Sequence, residues 1–368
     1  MLLFALAVLI HEFGHFIAAR LLGMRVEAFS IFFGKPVWKK KIGECEYRIG
    51  WIPLGGYVAL PDLDPDGVKA LEGSNGETAA TADVPAWKKI LVAVAGPLGN
   101  IVLAVALACM LAAMPGAKFG TTLPKIGDVI EGGPAYRAGL MAGDLVTKVG
   151  GKDVSTWYEM QVEIQLSKGG QVPFSIVRGE EEMVLAVEPV QDEDSGVWLI
   201  LAASEAVKEK SAAWMPDRNP LRQLEWDVSS IARILKALVT PKEAKAAANS
   251  LGGPVNIAES LYRQVRRDFA DGLGFLRFLN VNLAMINLLP IPVLDGGLIL
   301  FALFELIARR KVNKKFSTIV TTAFMWILMG LMGIIIVRDV VRSWNIHHAE
   351  PKSVEQLMNQ THQAEETE

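Results

Sequence analysis

His11-Glu12-Phe13-Gly14-His15 interrupts the apolar N-terminal stretch 1–22 with two imidazoles and a carboxylate. Ionisable groups are costly inside a membrane span, and there they mark a functional site. Residues i and i+4 share one face of a helix, so His11 and His15 can hold one metal ion. Glu12 can then take a proton from a metal-bound water. The pattern H-E-x-x-H therefore predicts a metalloprotease site within the bilayer, with Glu12 as its catalytic residue.

A hydrolytic zinc site needs three protein ligands and an open position for water. The remaining histidines, His347, His348 and His362, lie near the polar C-terminus and are poor candidates. Asp295 lies in a later apolar stretch, where a carboxylate needs a partner. We therefore predict Asp295 as the third metal ligand. The alternatives are an incidental glutamate beside two helix-face histidines, and a kinked span with an aspartate near its end.

The composition indicates a chain that is partly in a membrane and partly in water. It has 368 residues, 51% of them hydrophobic, and a mean hydropathy of +0.30, which is high for a soluble protein. The net charge of -3 gives no indication of a nucleic-acid-binding surface. Cys45 and Cys109 are far apart and support neither a disulfide framework nor a CxxC metal site.

Four apolar stretches reach the roughly 20 residues that a helix needs to cross a bilayer. The predicted transmembrane helices are 1–22, 87–114, 273–308 and 316–337. The third contains Pro290 and Pro292, which break helical hydrogen bonding. The first has neither a basic leading segment nor an obvious small-residue cleavage site, so we do not interpret it as a signal peptide.

Basic residues near the ends of the spans predict the orientation. They are concentrated in segment 23–86 and between the third and fourth spans, so both segments are predicted to be cytoplasmic. Both termini, including the polar tail 338–368, and the segment 115–272 then lie on the other side. Arg338 and Arg342, after the fourth span, argue weakly against this orientation.

Residues 47–60 predict a β-hairpin, with two short strands around a Pro/Gly turn and an acidic loop from 61 to 86 after it. An ordinary cytoplasmic hairpin has the same pattern. The aromatic content favours contact with the membrane face. Non-helical backbone at membrane depth is tolerated only against protein or a water-filled cavity.

The string P-A-x-x-A-G-L-x-x-G-D-x-V at residues 134–146 resembles bacterial PDZ domains. We predict an inserted α+β PDZ domain at 115–200. Such domains bind extended peptides by strand addition. A steric filter or a spacer is the alternative role, because no clear glycine-rich carboxylate-binding loop precedes the string.

Segment 201–272 is predicted to form amphipathic helices after the PDZ domain. The first of these helices is predicted from apolar residues that recur at helical spacing, namely Leu221, Leu224, Val228, Ile231, Leu235 and Leu238. This helix either lies on the membrane surface, packs on the PDZ domain, or is an ordinary packed helix.

Together the elements predict a polytopic α-helical membrane protein with about four transmembrane helices, a membrane-associated β-hairpin and an inserted α+β PDZ domain. The HExxH motif, the pattern N-x-x-P-x-P-x-L-D-G at 287–296 and the PDZ domain between them resemble the site-2 protease family (M50). The bacterial regulator of sigma-E protease type is the most similar. The segments A-G-P-L-G-N at 95–100 and L-G-G-P at 251–254 resemble the same family. Well-studied members of this type carry two tandem PDZ domains, whereas this chain has room for one.

The resemblance implies a role for each matching residue. His11, His15 and Asp295 would bind Zn²⁺, and Glu12 would be the general base and later the proton donor. Asn287 would bind substrate near the metal, and its amide could also stabilise the oxyanion. The residues implied to hold substrate in extended form, in the membrane-facing hairpin, are Gly55, Gly56 and Tyr57.

The resemblance also implies a zinc-dependent endopeptidase that cleaves the transmembrane segment of a single-pass membrane protein, in contact with the lipid bilayer. An anti-sigma factor in an extracytoplasmic stress response or a remnant signal peptide is the expected substrate. The expected location is the bacterial cytoplasmic (inner) membrane, with the PDZ domain on the periplasmic side. The alternatives are an inactive PDZ-bearing membrane scaffold and a membrane metalloprotease that acts on soluble or lipidated substrates.

Overall fold

The computed structural model describes residues 2–61, 63, 84–115, 117, 119, 123–192, 197–204, 217–241, 243–244, 247–248 and 252–348. Most of the predicted acidic loop 61–86 lies outside them. The chain forms two compact units. The first unit comprises Met1–Leu107 and Phe275–Met332, and the second comprises Ala108–Gly274 and Gly333–Glu368.

The elements follow one another as helices at both ends of the chain with strands between them. The helices are α1 (Leu2–Leu21), α2 (Ala86–Ala113), α3 (Pro134–Arg137), α4 (Trp157–Ser167), α5 (Pro220–Val239), α6 (Pro254–Arg267), α7 (Phe269–Asn287), α8 (Asp295–Ala308) and α9 (Lys314–His348). The strands are β1 (Ala28–Ile42), β2 (Cys45–Ala59), β3 (Ile126–Val129), β4 (Leu145–Val149), β5 (Lys152–Asp153), β6 (Val172–Arg178), β7 (Glu181–Val187), β8 (Val190–Asp192), β9 (Val197–Leu199) and β10 (Ala202–Ser204).

Among the described residues, three helices are long and apolar enough to cross a membrane: α2, α7 and the Lys315–Val341 part of α9. The 20-residue helix α1, which carries the polar motif, is not one of them. The predicted span 273–308, expected to be broken at its prolines, comprises two helices, since α7 ends at Asn287 and α8 begins at Asp295. Pro290 and Pro292 lie in this break and have no N–H to continue a helix.

The last helix corrects the predicted C-terminal boundary. α9 runs from Lys314 to His348, beyond the predicted span 316–337. The first part of the predicted polar tail 338–368 is therefore helical, and residues 349–368 lie outside the described part of the chain.

Helices α1 and α2 approach closely, since glycines face backbone between them. A Cβ atom added at Gly14 would lie 2.2 Å from the carbonyl oxygen of Ala95, and one at Gly99 would lie 2.8 Å from that of Ile10. Two lysine contacts, one hydrogen bond and one ion pair, fix the Lys88–Lys89 end of α2. Lys88 Nζ donates to the carbonyl of Leu22 at 2.8 Å, and Lys89 Nζ lies 2.7 Å from Glu305 Oε2 on α8.

The strands β1 and β2 form a sheet that differs from the predicted hairpin. Residues 28–31 of β1 pair with both 46–49 and 56–59 of β2. The expected pairing of 47–60 with itself is therefore wrong, since a segment of β1 lies between its two halves. The apolar side of β1 explains this arrangement, because Phe29 is buried and contacts the rings of Phe16 and Tyr47 at centroid distances of 5.3 and 6.2 Å.

The second unit contains a four-stranded sheet in the order β5-β4-β6-β7 and two further strand pairs, β10-β3 and β8-β9. The short helix α3 lies within the string 134–146, and Gly139 after it has φ +81°. Thr156 caps α4 and makes a capping box with Glu159. Because β10 pairs with β3, the strands of this unit extend past the predicted boundary at residue 200. The PDZ assignment itself stays a prediction.

The buried face of α5 is more polar than predicted. Ile231 is buried, but Leu221 and Val228 are exposed, and the other buried positions include Gln223 and Asp227. The helix also makes an ionic contact with α4. Arg233 donates to both carboxylate oxygens of Glu163 at 2.7 and 2.9 Å. These contacts with α4 fit both packing on the preceding domain and an ordinary packed helix.

A buried carboxylate fixes the turn before β4. The side chain of Asp144 is 1% exposed and accepts two hydrogen bonds from Arg178, both at 2.7 Å. The N–H of Met141 donates to the same carboxylate at 2.8 Å. Burial raises the pKa of Asp144, but the bonds from Arg178 and Met141 outweigh it and hold the pKa below its ordinary value.

We expect Arg178→Ala to destabilise the sheet of the second unit, because it removes the two hydrogen bonds that Arg178 donates to the buried Asp144 carboxylate. The measurement is amide hydrogen exchange of β4 and β6 in the full-length protein, which should become faster. Arg222→Ala is the control, since Arg222 is 71% exposed and lies 3.5 Å from Asp217. Equal exchange in both variants would contradict the expectation. Since the folded pKa of Asp144 is lowered, this stabilisation is present above about pH 4 and is lost as the pH falls through the folded pKa.

Candidate metal centre and active site

The helix α1 places the two histidines of the motif one turn apart. Their Nε2 atoms are 3.3 Å apart, and their rings are nearly perpendicular, at 84°. His11 is 7% exposed. Nδ1 of His15 lies 2.8 Å from the carbonyl oxygen of Val92 on α2. A carbonyl can only accept, so Nδ1 of His15 carries the proton and its Nε2 presents a lone pair.

Asp295, the first residue of α8, supplies the third donor group. Its Oδ2 lies 3.3 Å from His11 Nε2, and its Oδ1 lies 3.4 Å from His15 Nε2. Two glycines let the chain fold tightly here. A Cβ atom added at Gly296 would lie 2.1 Å from the carbonyl oxygen of Leu289. One added at Gly297 would lie 2.4 Å from the carbonyl oxygen of Ile291.

The three donor groups fit a divalent cation. Asp295 Oδ2 is buried and has no hydrogen-bond partner among the described residues, although it lies 3.3 Å from His11 Nε2. Lone pairs that face one another at this distance repel unless a proton or a cation lies between them. Zinc bonds of about 2.0–2.1 Å in tetrahedral geometry put neighbouring ligand atoms roughly 3.3–3.4 Å apart. The observed separations of 3.3–3.4 Å match that spacing.

A cavity of about 470 Å³ opens onto the donor groups. All the predicted site residues line it: His11, Glu12, His15, Gly55, Gly56, Tyr57, Asn287 and Asp295. The amide Nδ2 of Asn287 lies 3.4 Å from His11 Nε2. A Cβ atom at Gly56 would lie 3.3 Å from Cγ of Glu12, so β2 runs directly beside the predicted base.

The structure adds residues that the sequence had not assigned to the site. Phe33 of β1 lines the cavity, and its ring stacks on Tyr57 at 6.1 Å. Gly96 lies under His15, and a Cβ atom there would be 2.2 Å from the His15 Nε2 atom. Asn100 lies 3.2 Å from His11. Gly96 and Asn100 belong to the segment A-G-P-L-G-N at 95–100. The family resemblance of this segment was the only sequence feature that pointed to them, and it predicted no contact for either residue.

The model of peptidase family M50 matches residues 1–331. The chain belongs to peptidase family M50. The chain is also 32% identical over 341 residues to a Clostridium perfringens protein whose name places it among the zinc metalloproteases. That alignment covers 93% of this chain and 97% of the relative. A Rickettsia conorii protein with the same kind of name is 31% identical, over 91% of this chain and 96% of its own length.

The metalloprotease MmpA of Caulobacter vibrioides is 28% identical, over 90% of this chain and 92% of the relative. Membership of family M50 makes the chain a metalloprotease, and zinc is the metal of M50 peptidases. The three apolar helices fit an integral membrane protein that carries out proteolysis within the membrane.

Proposed function

We propose that this M50 peptidase is a zinc endopeptidase that cleaves the transmembrane segment of single-pass membrane proteins, with His11, His15 and Asp295 as the zinc ligands. The observation that carries the proposal is the set of donor atoms 3.3–3.4 Å apart at the end of a cavity. When bound there, zinc polarises the scissile carbonyl and makes water acidic enough to attack near neutral pH.

The side chains beside the donor groups supply the proton transfer and the charge stabilisation. Glu12 lines the cavity next to His11, so its carboxylate accepts the proton of the attacking water and passes it to the leaving amine. The Asn287 amide, 3.4 Å from His11 Nε2, donates to the oxygen on which negative charge develops.

The sheet of β1 and β2 supplies a way to hold an unwound substrate. A transmembrane helix hides its carbonyls in its own hydrogen bonds, and strand addition to a sheet edge replaces the bonds lost on unwinding. Residues 56–59 pair with 28–31 on one side, and Gly55, Gly56 and Tyr57 line the cavity. An extended substrate along this segment places its peptide bonds beside Glu12.

The finer identity of substrate and location follows from the family resemblance and the distribution of basic residues. The substrate is an anti-sigma factor already trimmed outside the membrane, or a remnant signal peptide, in the bacterial cytoplasmic (inner) membrane. Segment 115–200 then lies on the periplasmic side as a PDZ domain. No nucleic acid takes part.

The test is cleavage of a reporter with one transmembrane helix, beside a soluble peptide of the same scissile sequence, with zinc content measured in parallel. We expect one zinc per chain and cleavage of the membrane reporter. Cleavage of the soluble peptide alone would favour the membrane metalloprotease with soluble substrates. Bound zinc without cleavage of trimmed reporters would favour the PDZ-bearing scaffold, and absence of zinc would overturn the ligand assignment.

A further inference from the structure

One polar side chain in the first unit contacts a predicted ligand and has no part in the proposed mechanism. Asn100 on α2 is fully buried, and its amide Nδ2 lies 3.2 Å from His11 Nδ1. The amide oxygen, Oδ1, is buried and has no hydrogen-bond partner among the described residues. An orphaned acceptor in this position is costly, because a buried polar atom without a partner loses its hydration.

The chemistry of His11 determines which amide atom must face it. Nε2 of His11 lies with His15 and Asp295 around the predicted metal position, so Nε2 has to present a lone pair. A neutral imidazole then carries its proton on Nδ1, and that N–H needs an acceptor. The Nδ2 amino group of Asn100, which faces His11 Nδ1, is a donor only, so that orientation puts two donors face to face.

A half-turn of the amide removes both problems. It brings Oδ1 to His11 Nδ1 and gives the orphaned oxygen its partner, and the two amide orientations are nearly indistinguishable by shape. His15 has the same arrangement, because its Nδ1 faces the backbone oxygen of Val92 on the same helix. Helix α2 therefore offers an acceptor to each histidine: the backbone oxygen of Val92 to His15, and the side-chain oxygen of Asn100 to His11.

We propose that Asn100 is a positioning residue: its Oδ1 accepts the Nδ1–H of His11 and so selects the tautomer whose Nε2 can bind zinc. This inference rests on the proposed function, in that His11 must be a ligand. Partners of this kind orient metal-bound histidines, and their loss lowers metal affinity roughly 10–100-fold.

The test compares two variants of nearly the same shape as asparagine in the full-length protein. Asn100→Leu has no acceptor, and Asn100→Asp can accept but cannot donate. Zinc affinity is measured by competition with a chelator. We expect the affinity to fall by about 10–100-fold in Asn100→Leu and to stay within a few-fold of wild type in Asn100→Asp. An equal loss in both variants, or wild-type affinity in Asn100→Leu, would overturn the proposal.

The control is Asn280→Leu. Asn280 is also fully buried in the first unit, but it donates to the carbonyl of Leu276 at 2.8 Å and does not line the cavity. Its removal should leave zinc affinity unchanged. If wild type itself binds no zinc, the proposed ligand set fails. If wild type binds zinc and Asn100→Leu binds it as tightly, only the role of Asn100 fails.

A spectroscopic measurement covers the case in which the buried aspartate prevents folding. In zinc-loaded protein with ¹⁵N-labelled histidine, the His11 Nδ1 proton should resonate in the hydrogen-bonded range in wild type. It should move upfield in Asn100→Leu, whereas the His15 Nδ1 proton, which faces Val92, should stay in place. A His11 resonance that is the same in both proteins would overturn the proposal.

Discussion

Glu12→Gln reduces cleavage of a transmembrane reporter by about 10²–10⁴-fold, the contribution typical of a positioned general base, while zinc content stays at the wild-type level. The substitution keeps the shape of the side chain and removes its ability to accept a proton. Glu12 lies between His11 and the β2 strand, with its Cγ 3.3 Å from a Cβ position at Gly56, so the neutral amide fits the same space. The measurements are the cleavage rate and the zinc content of the same purified sample.

Glu27→Gln is the control for this prediction. Glu27 belongs to the first unit and pairs with Arg25 at 2.8 Å, with 29% of its side chain exposed. It should cleave at the wild-type rate, since surface ion pairs contribute little. Wild-type cleavage by Glu12→Gln would remove Glu12 from the chemical step. Loss of zinc along with activity would instead indicate that Glu12 acts on the ligand arrangement.

Gly96→Ala, a change of one methyl group, lowers zinc affinity and cleavage by about 10²-fold or more, because a shift of about 1 Å in a reacting group is enough for that loss. The new Cβ would lie 2.2 Å from Nε2 and 2.5 Å from Cε1 of His15. The imidazole cannot swing away freely, since its Nδ1 is bonded to the Val92 carbonyl. Chelator competition gives the zinc affinity, and the reporter gives the rate.

Gly330→Ala is the matched control for this glycine. It makes the same change inside the apolar part of α9, where an added Cβ has no heavy atom within 4 Å. Alanine favours a helix more than glycine does, so this variant should fold at least as well as wild type. If Gly96→Ala binds zinc as tightly as Gly330→Ala, the His15 ring can move to accommodate the new methyl group, and the prediction is wrong.

The chemistry of the site could be predicted from sequence to the extent that it depends on residue type and local spacing. His11 and His15 share a helix face because they are four residues apart. Asp295 can be predicted as a ligand because a carboxylate is rare in an apolar segment. The structure brings these residues together. Their assignment as zinc ligands stays a prediction until zinc binding is measured.

The rest depends on contacts between distant segments, which local patterns do not encode. Phe29 and its neighbours pair with both halves of β2, and nothing within residues 47–60 reveals that partner. The buried side of α5 includes Gln223 and Asp227, which the apolar stripe does not predict. Of that stripe, Ile231 is buried, whereas Leu221 and Val228 are exposed. Gly96 and Asn100 matter only through the rings that lie against them.

The distance along the chain between the parts of the centre has a consequence for biosynthesis. His11 and Asn287 are 276 positions apart, and Asp295 follows later still. At roughly 5–20 residues per second, a ribosome needs on the order of tens of seconds to add the third ligand after the first two have been made. During that time the nascent chain lacks the predicted third ligand and is an incomplete enzyme. Because the centre is completed late in synthesis, proteolysis cannot begin until most of the molecule has been made.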